Sequence, residues 1–156
     1  MREILFRGKR TDNGEWVEGD LVQGVGKQKG LMFIWSEDKR VPMEVFESNV
    51  IPETVGQYSG WKDKKGQKMF EGDIVELESR GYYPTIDRGV VIFKDGCFGI
   101  EYQTAIARKY GWEKTFHRIG TTDKWQDMSA SGTITYTYEV IGNIYDNPEL
   151  LKGRKP

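Results

Sequence analysis

The sequence is poor in residues that staple or break a chain. Among 156 residues there is one cysteine, Cys97, and there are five prolines. A lone cysteine excludes an intramolecular disulfide and makes a reducing compartment the expectation. The single histidine, His117, leaves no His/Cys set of the kind that holds zinc. No apolar run approaches the roughly 20 residues that cross a bilayer, so no membrane partner is expected. An excess of one charge is missing too. Lys+Arg number 23 against 24 Asp+Glu, a net charge of −1, so no bulk field draws the protein onto nucleic acid or an anionic membrane. Met1–Arg10 is dense in charge and unlike a signal peptide, and the expected location is the cytoplasm. A Gly-x-x-x-x-Gly-Lys-Ser/Thr phosphate loop is absent.

What is present favours β structure. Aromatic residues make up 13% of the chain and leucine is scarce, so the core must come from Trp, Tyr, Phe, Ile and Val. Nineteen glycines suit sheets joined by tight turns. The stretch Tyr58–Leu77 organises the rest: a charged hairpin tip at Asp63-Lys64-Lys65-Gly66, then Met69-Phe70, a Glu71-Gly72-Asp73 corner and a strand from Ile74. Gly60, Gly66 and Gly72 supply the positive φ angles that such turns need. An earlier segment repeats the pattern. Asn13-Gly14 predicts a type I′ hairpin, and Glu18-Gly19-Asp20 predicts a corner that breaks the return strand. The repeat reads as one corner geometry used twice; a functional repeat array would need three or more units.

Downstream, Leu31–Trp35 is an apolar run of strand length, buried on both faces or at an interface. Val41–Val50 contains Pro42 and belongs at an edge or in irregular structure. Ile74–Ser79 reads as a strand, Arg80–Asp87 as an exposed loop with Tyr82 and Tyr83, and Gly89–Tyr102 as a hairpin turning at Asp95-Gly96. Thr104–Trp112 predicts a short helix, and Glu113–Ser131 is polar and mixed, with Trp125 and Met128 as candidate plugs. Thr133–Tyr145 is strongly β. Asn147 and Pro148 then read as N-cap and first residue of a final helical turn. The expected fold is therefore mainly β with some α. It is an SH3-like small β-barrel, with Ile74–Glu78, Gly89–Lys94, Cys97–Tyr102 and Tyr138–Ile144 as staves. Residues 1–55 form an N-terminal β-hairpin region, 56–151 the barrel region with a short helical insertion at about 103–132, and 152–156 a tail.

Candidate sites are few. His117, in the basic segment Lys114–Arg118, reads as a solvated side chain, and Cys97 as a small buried apolar residue. The acid pairs Glu71/Asp73 and Glu18/Asp20 resemble a carboxylate dyad, yet the glycine between them favours aspartates that hydrogen-bond the backbone. Two basic-aromatic clusters remain. Lys62, Lys64, Lys65 and Lys68 lie between Trp61 and Phe70; Arg108, Lys109, Lys114, Arg118 and Lys124 accompany Trp112 and Trp125. Such clusters can stack bases beside phosphate-binding lysines. Interspersed acids make solvated hairpin faces the preferred reading.

The segments Pro52–Asp63 and Phe70–Val75, the opening Met1–Arg7 and the ending Tyr138–Leu151 together resemble the YopX family of phage and prophage proteins. Thr104–Ser131 carries nothing that matches it. The resemblance implies a bacterial or prophage-encoded cytoplasmic protein with an SH3-like β fold and no assigned activity. It also implies a homo-oligomer, a hexamer among the options, and it brings no catalytic residues and no cofactor. The functional expectation is a non-enzymatic, self-associating module that meets an unidentified protein partner, with Trp35, Trp61 and the two clusters as candidate contacts. The alternative is a nucleic-acid-binding module.

Overall fold

The computed structural model describes residues 3–35, 47–80, 85–121, 123–126 and 131–152. Pro42, Tyr82, Tyr83 and Met128 lie outside them. The chain divides into two compact units, Met1–Gly60 and Trp61–Pro156.

In the first unit, β1 (Phe6–Lys9), β2 (Trp16–Gln23), β3 (Met32–Trp35), β4 (Glu47–Val50) and β5 (Gly56–Lys62) are laid side by side in the order β4-β3-β2-β1-β5. All the described pairings are antiparallel. The core is Val17, Ile34 and Val50, with Phe6, Leu21, Met32 and Val55 packed against it. In the apolar run, Phe33 and Ile34 are buried, but Leu31 and Trp35 are exposed. The run is thus one-sided at its ends.

Two expectations fail here. The β1–β2 hairpin does not turn on a type I′ Asn-Gly pair. Arg10 N–H donates to the Glu15 carbonyl at 2.9 Å and Gly14 N–H to the Arg10 carbonyl at 3.1 Å, so four residues make the loop. Gly14 has φ +72°, while Asn13 is not among the residues with positive φ. The Asn13 side chain accepts from Glu15 N–H instead, which fixes the longer turn. The second failure is at Glu18-Gly19-Asp20, which does not break the strand: it lies inside an unbroken β2, whose paired partner changes there from β1 to β3.

The second unit begins with the last residues of β5, Trp61 and Lys62. After the Asp63–Gly66 turn come β6 (Lys68–Phe70), β7 (Asp73–Arg80), β8 (Thr85–Lys94), β9 (Cys97–Tyr102), α1 (Ala105–Tyr110), β10 (Thr115–Arg118), β11 (Asp123–Gln126) and β12 (Ser131–Asn143). Its large sheet has the order β10-β9-β8-β7-β12-β11. Met69, Val75, Val91, Phe98, Ile100 and Ile119 form the core. The β8–β9 hairpin turns on Asp95 (φ 51°) and Gly96 (φ 79°), both left-handed, as a type I′ pair requires.

The closed barrel is not found. The four expected staves are present, and β12 does return to β7, pairing Val140 with Val75. The sheet then continues outward on both sides, through β9 to β10 and through β12 to β11, and among the described residues it stays open. The strands β10 and β11 account for this difference. Both fall in the polar stretch 113–131, where alternation is too weak to betray them. The expected helix does form, with Thr104 Oγ1 accepting from Ala107 N–H at its start and Gly111 (φ 69°) ending it.

Candidate interaction surface

The first cluster forms around the Asp63–Gly66 tip, where Gly66 has φ +84° and Gly60, before it, +87°. Asp63 is 7% exposed. Its Oδ1 accepts from the Lys65 and Gln67 N–H groups at 2.8 Å, and its Oδ2 from Val140 N–H at 3.1 Å. Burial raises the carboxyl's pKa, and these backbone donors more than offset that, holding it below the ordinary aspartate value. Lys64 N–H also donates to the Tyr138 carbonyl. The Lys64 and Lys65 ammonium groups both pair with Glu139. That double partner holds the Glu139 carboxyl down at about 2 and raises Lys64. The tip is therefore tied to β12, and two of the four clustered lysines are already neutralised within the protein. Trp61 lies against the turn after β10: a side chain at Gly120 would come within 2.4 Å of its ring. Trp61 remains 47% exposed, Lys62 and Arg118 are exposed, and Lys68 is half-buried.

The corner residues are structural in their contacts. Gly72 turns with φ +80°, Glu71 beside it is half-buried, and Asp73, 1% exposed, accepts from Phe70 N–H at 2.7 Å. The Glu71/Asp73 pair is thus not a matched dyad. Asp20 is exposed on β2. At the C-terminal end, Asn147 does not cap with its side chain the single turn Pro148–Leu151; its Oδ1 accepts from Asn143 N–H at 3.4 Å. That contact requires Gly142, where a Cβ would meet Asn147 Oδ1 at 2.6 Å.

Two single-residue expectations are corrected. His117 is buried, 5% exposed, because β10 is a sheet strand and not a solvated loop. Its Nε2 lies 3.0 Å from the Tyr138 hydroxyl and its ring 3.9 Å from that of Tyr136. Cys97 is only half-buried, at the mouth of the β8–β9 turn.

In the second cluster, Tyr110 and Trp112 stack with ring centroids 5.6 Å apart at 26°. They are 62% and 60% exposed. Arg108 donates to the Gln103 carbonyl, and Lys109 Nζ lies 5.5 Å from the Tyr110 ring centre. Lys114 pairs with Glu101 at 2.9 Å. Lys124 and Trp125 belong to β11, and their side chains lie outside what is described. Sequence reasoning missed Tyr110 and Gln103; a helix ending one residue before Gly111 was the available signal.

The first unit holds a further feature that the sequence reading named only in part. Around the β2–β3 hairpin, Val22, Val25, Leu31 and Trp35 are 40%, 82%, 45% and 48% exposed. Among the described residues no group of three or more His, Cys, Asp or Glu side chains is placed to hold a metal, and no helix is long and apolar enough to cross a membrane.

Comparison with known proteins gives two findings. The sequence model of the YopX protein family matches residues 5–152. The crystal structure of protein EF1440 from Enterococcus faecalis is similar at 21% identity, covering 97% of this chain and 99% of that one, with a TM-score of 0.48. A search of curated proteins gave no match.

Proposed function

The chain belongs to the YopX family, and from that premise we propose a non-enzymatic accessory protein of phage or prophage origin that works in the bacterial cytoplasm by associating with itself and with a protein partner. The observation that carries this reading is the β2–β3 hairpin. Val22, Val25, Leu31 and Trp35 all leave 40% or more of their surface in water on one small element. Covering such side chains is worth about 1.5–3 kcal/mol each when burial is complete, enough for a few of them to sustain an interface. The acids argue in the same direction. Asp63 and Asp73 spend their carboxylates on backbone N–H groups, and Glu139 spends its own on two lysines. None of the three is a base waiting for a substrate.

Size-exclusion chromatography with light scattering at micromolar concentration tests the proposal. The expected mass is a multiple of 18.0 kDa. The double variant Val25→Glu/Trp35→Glu should run as a monomer with an unchanged circular dichroism spectrum. A wild-type monomer under these conditions would end the self-association reading.

A further inference from the structure

The geometry points to a second activity, independent of self-association: the stacked pair Tyr110–Trp112, with Arg108 and Lys109 beside it, is a docking platform for single-stranded nucleic acid. The platform is built, not incidental. Gly111 in the left-handed region ends α1 and lets Trp112 N–H return to the Ala107 carbonyl at 2.9 Å. Gln103 Nε2 then donates to the Trp112 carbonyl at 2.6 Å, which fixes the backbone that carries the indole. The result is two aromatic residues, stacked at 26° and about 60% exposed, at the end of α1 and on the pinned turn that follows it. Burying aromatic area in the protein would have been the stabilising use of these residues; here most of it is left in water.

Charge selects the occupant. The chain as a whole has a net charge of −1, but from Gln103 to Arg118 it carries four Lys or Arg and one acid, Glu113. Arg108 donates one hydrogen bond to the neutral Gln103 carbonyl, so its charge is not cancelled there, and Lys109 lies beside the Tyr110 ring. Lys114 is paired with an acid, Glu101. A ligand that presents both flat π surfaces and regularly spaced negative charges matches this arrangement. Single-stranded nucleic acid does so, whereas a duplex keeps its base faces stacked inside, and an acidic peptide offers charge without the faces.

Fluorescence anisotropy of the full-length protein with a labelled oligo-dT of about twelve nucleotides, within the usual site size of such modules, tests the inference. Binding should appear at low salt. Its affinity should fall as salt rises, with a log–log slope near −0.7 for each phosphate neutralised. Trp112→Ala should weaken binding about ten-fold or more, and Trp112→Phe should restore most of it. Arg108→Ala/Lys109→Ala should lower both affinity and salt slope. Circular dichroism guards against unfolding, and both rings are exposed enough to make their loss tolerable. No anisotropy change at low salt overturns the inference. So do binding unaffected by Trp112→Ala, equal affinity for duplex, and equal affinity for a labelled poly-glutamate peptide. Light scattering on the same Trp112→Ala variant should show an unchanged mass, which separates this site from the self-association surface.

Discussion

At residues 18–20 and again at 71–73 the chain reads Glu-Gly-Asp, each time a few residues after a glycine-bearing hairpin tip and just before an apolar strand. The two copies are used in opposite ways. At the second, the backbone turns: Gly72 sits at φ +80° and Asp73 folds back onto Phe70 N–H. At the first it continues as strand through β2, whose paired partner changes from β1 to β3 between Gly19 and Asp20, and Asp20 faces water. Glycine is required at both, for different reasons. Gly72 supplies a conformation that other residues resist. Gly19 supplies empty space, since a Cβ there would fall 1.9 Å from the Trp35 carbonyl oxygen. Identical local sequence therefore does not fix a corner, and neither does the presence of a neighbouring strand: Gly19 and Asp20 are partnered by Phe6 and Trp35, while Gly72 N–H donates to the Val91 carbonyl and the Gly72 carbonyl accepts from Ile144 N–H.

The largest expected effect follows from that distinction. Gly19→Ala must displace the backbone of Trp35, which cannot swing aside as a side chain would, and should cost about 3 kcal/mol or more, at the upper end of overpacking penalties. Gly72→Ala meets Tyr145 at a milder 3.3 Å and should cost only about 1–2 kcal/mol, the strain of an alanine at positive φ. Urea denaturation of the two variants gives the order. Equal losses would mean that the two glycines do the same job and would break the comparison.

The aspartates sharpen it at a smaller scale. Asp73→Ala leaves the Phe70 N–H without its 2.7 Å partner in a buried site and should cost about 2 kcal/mol, the range for an unsatisfied buried donor. Asp20→Ala, on the exposed side of β2, should change stability by less than about 0.5 kcal/mol. Urea midpoints for this pair, measured under the same conditions, check both values. A loss at Asp20 that matched the loss at Asp73 would show that the first copy has a role its exposure hides.

How much could be read from sequence follows from the same physics. The Asp95-Gly96 turn was legible because two adjacent residues that tolerate left-handed φ sit between alternating strands. Asn13-Gly14 looked the same and was not, because Asn13 Oδ1 finds Glu15 N–H and the longer loop wins. The strand beginning at Ile74 was legible from its apolar pattern, and the backbone hydrogen bond of Asp73 from the glycine before it. His117 was misplaced because its neighbours Lys114 and Arg118 advertise solvent, and only the pairing of β10 with β9 reveals that the ring faces inward. The open sheet was misjudged as a barrel for a related reason: edge strands carry polar residues, so β10 and β11 look like loop. Of the proposed contact residues, Trp61 and Trp112 were visible as tryptophans beside clustered basic residues, and Trp35 as the end of an apolar run. The pairing of Lys64 and Lys65 with Glu139 was not, since 74 residues separate Lys65 from its partner.

The smallest expected effect concerns the two hairpin tips that precede the Glu-Gly-Asp copies. At the first, Asp12 is held below its ordinary pKa by Arg10, two residues away, so the pair closes only a local loop. At the second, Glu139 is held at about 2 by Lys64 and Lys65, and the contact ties the tip to β12. A carboxyl whose folded pKa is depressed adds stability above its unfolded pKa and loses that contribution as pH falls through the folded value. For Glu139 the window runs from the ordinary glutamate value of 4.5 down to about 2. Unfolding free energy measured against pH should therefore fall across this window in the wild type. The fall should be shallower in Glu139→Gln, and the difference should shrink as salt screens the pairs. Asp12→Asn should change the profile in the same direction but by less, because the Arg10–Asp12 pair itself joins only residues two apart. If the wild-type and Glu139→Gln profiles run parallel from pH 4.5 to 2, the double lysine bracket does not stabilise the fold, and the second tip is held by the backbone donors to Asp63 and by the bond from Lys64 N–H to the Tyr138 carbonyl.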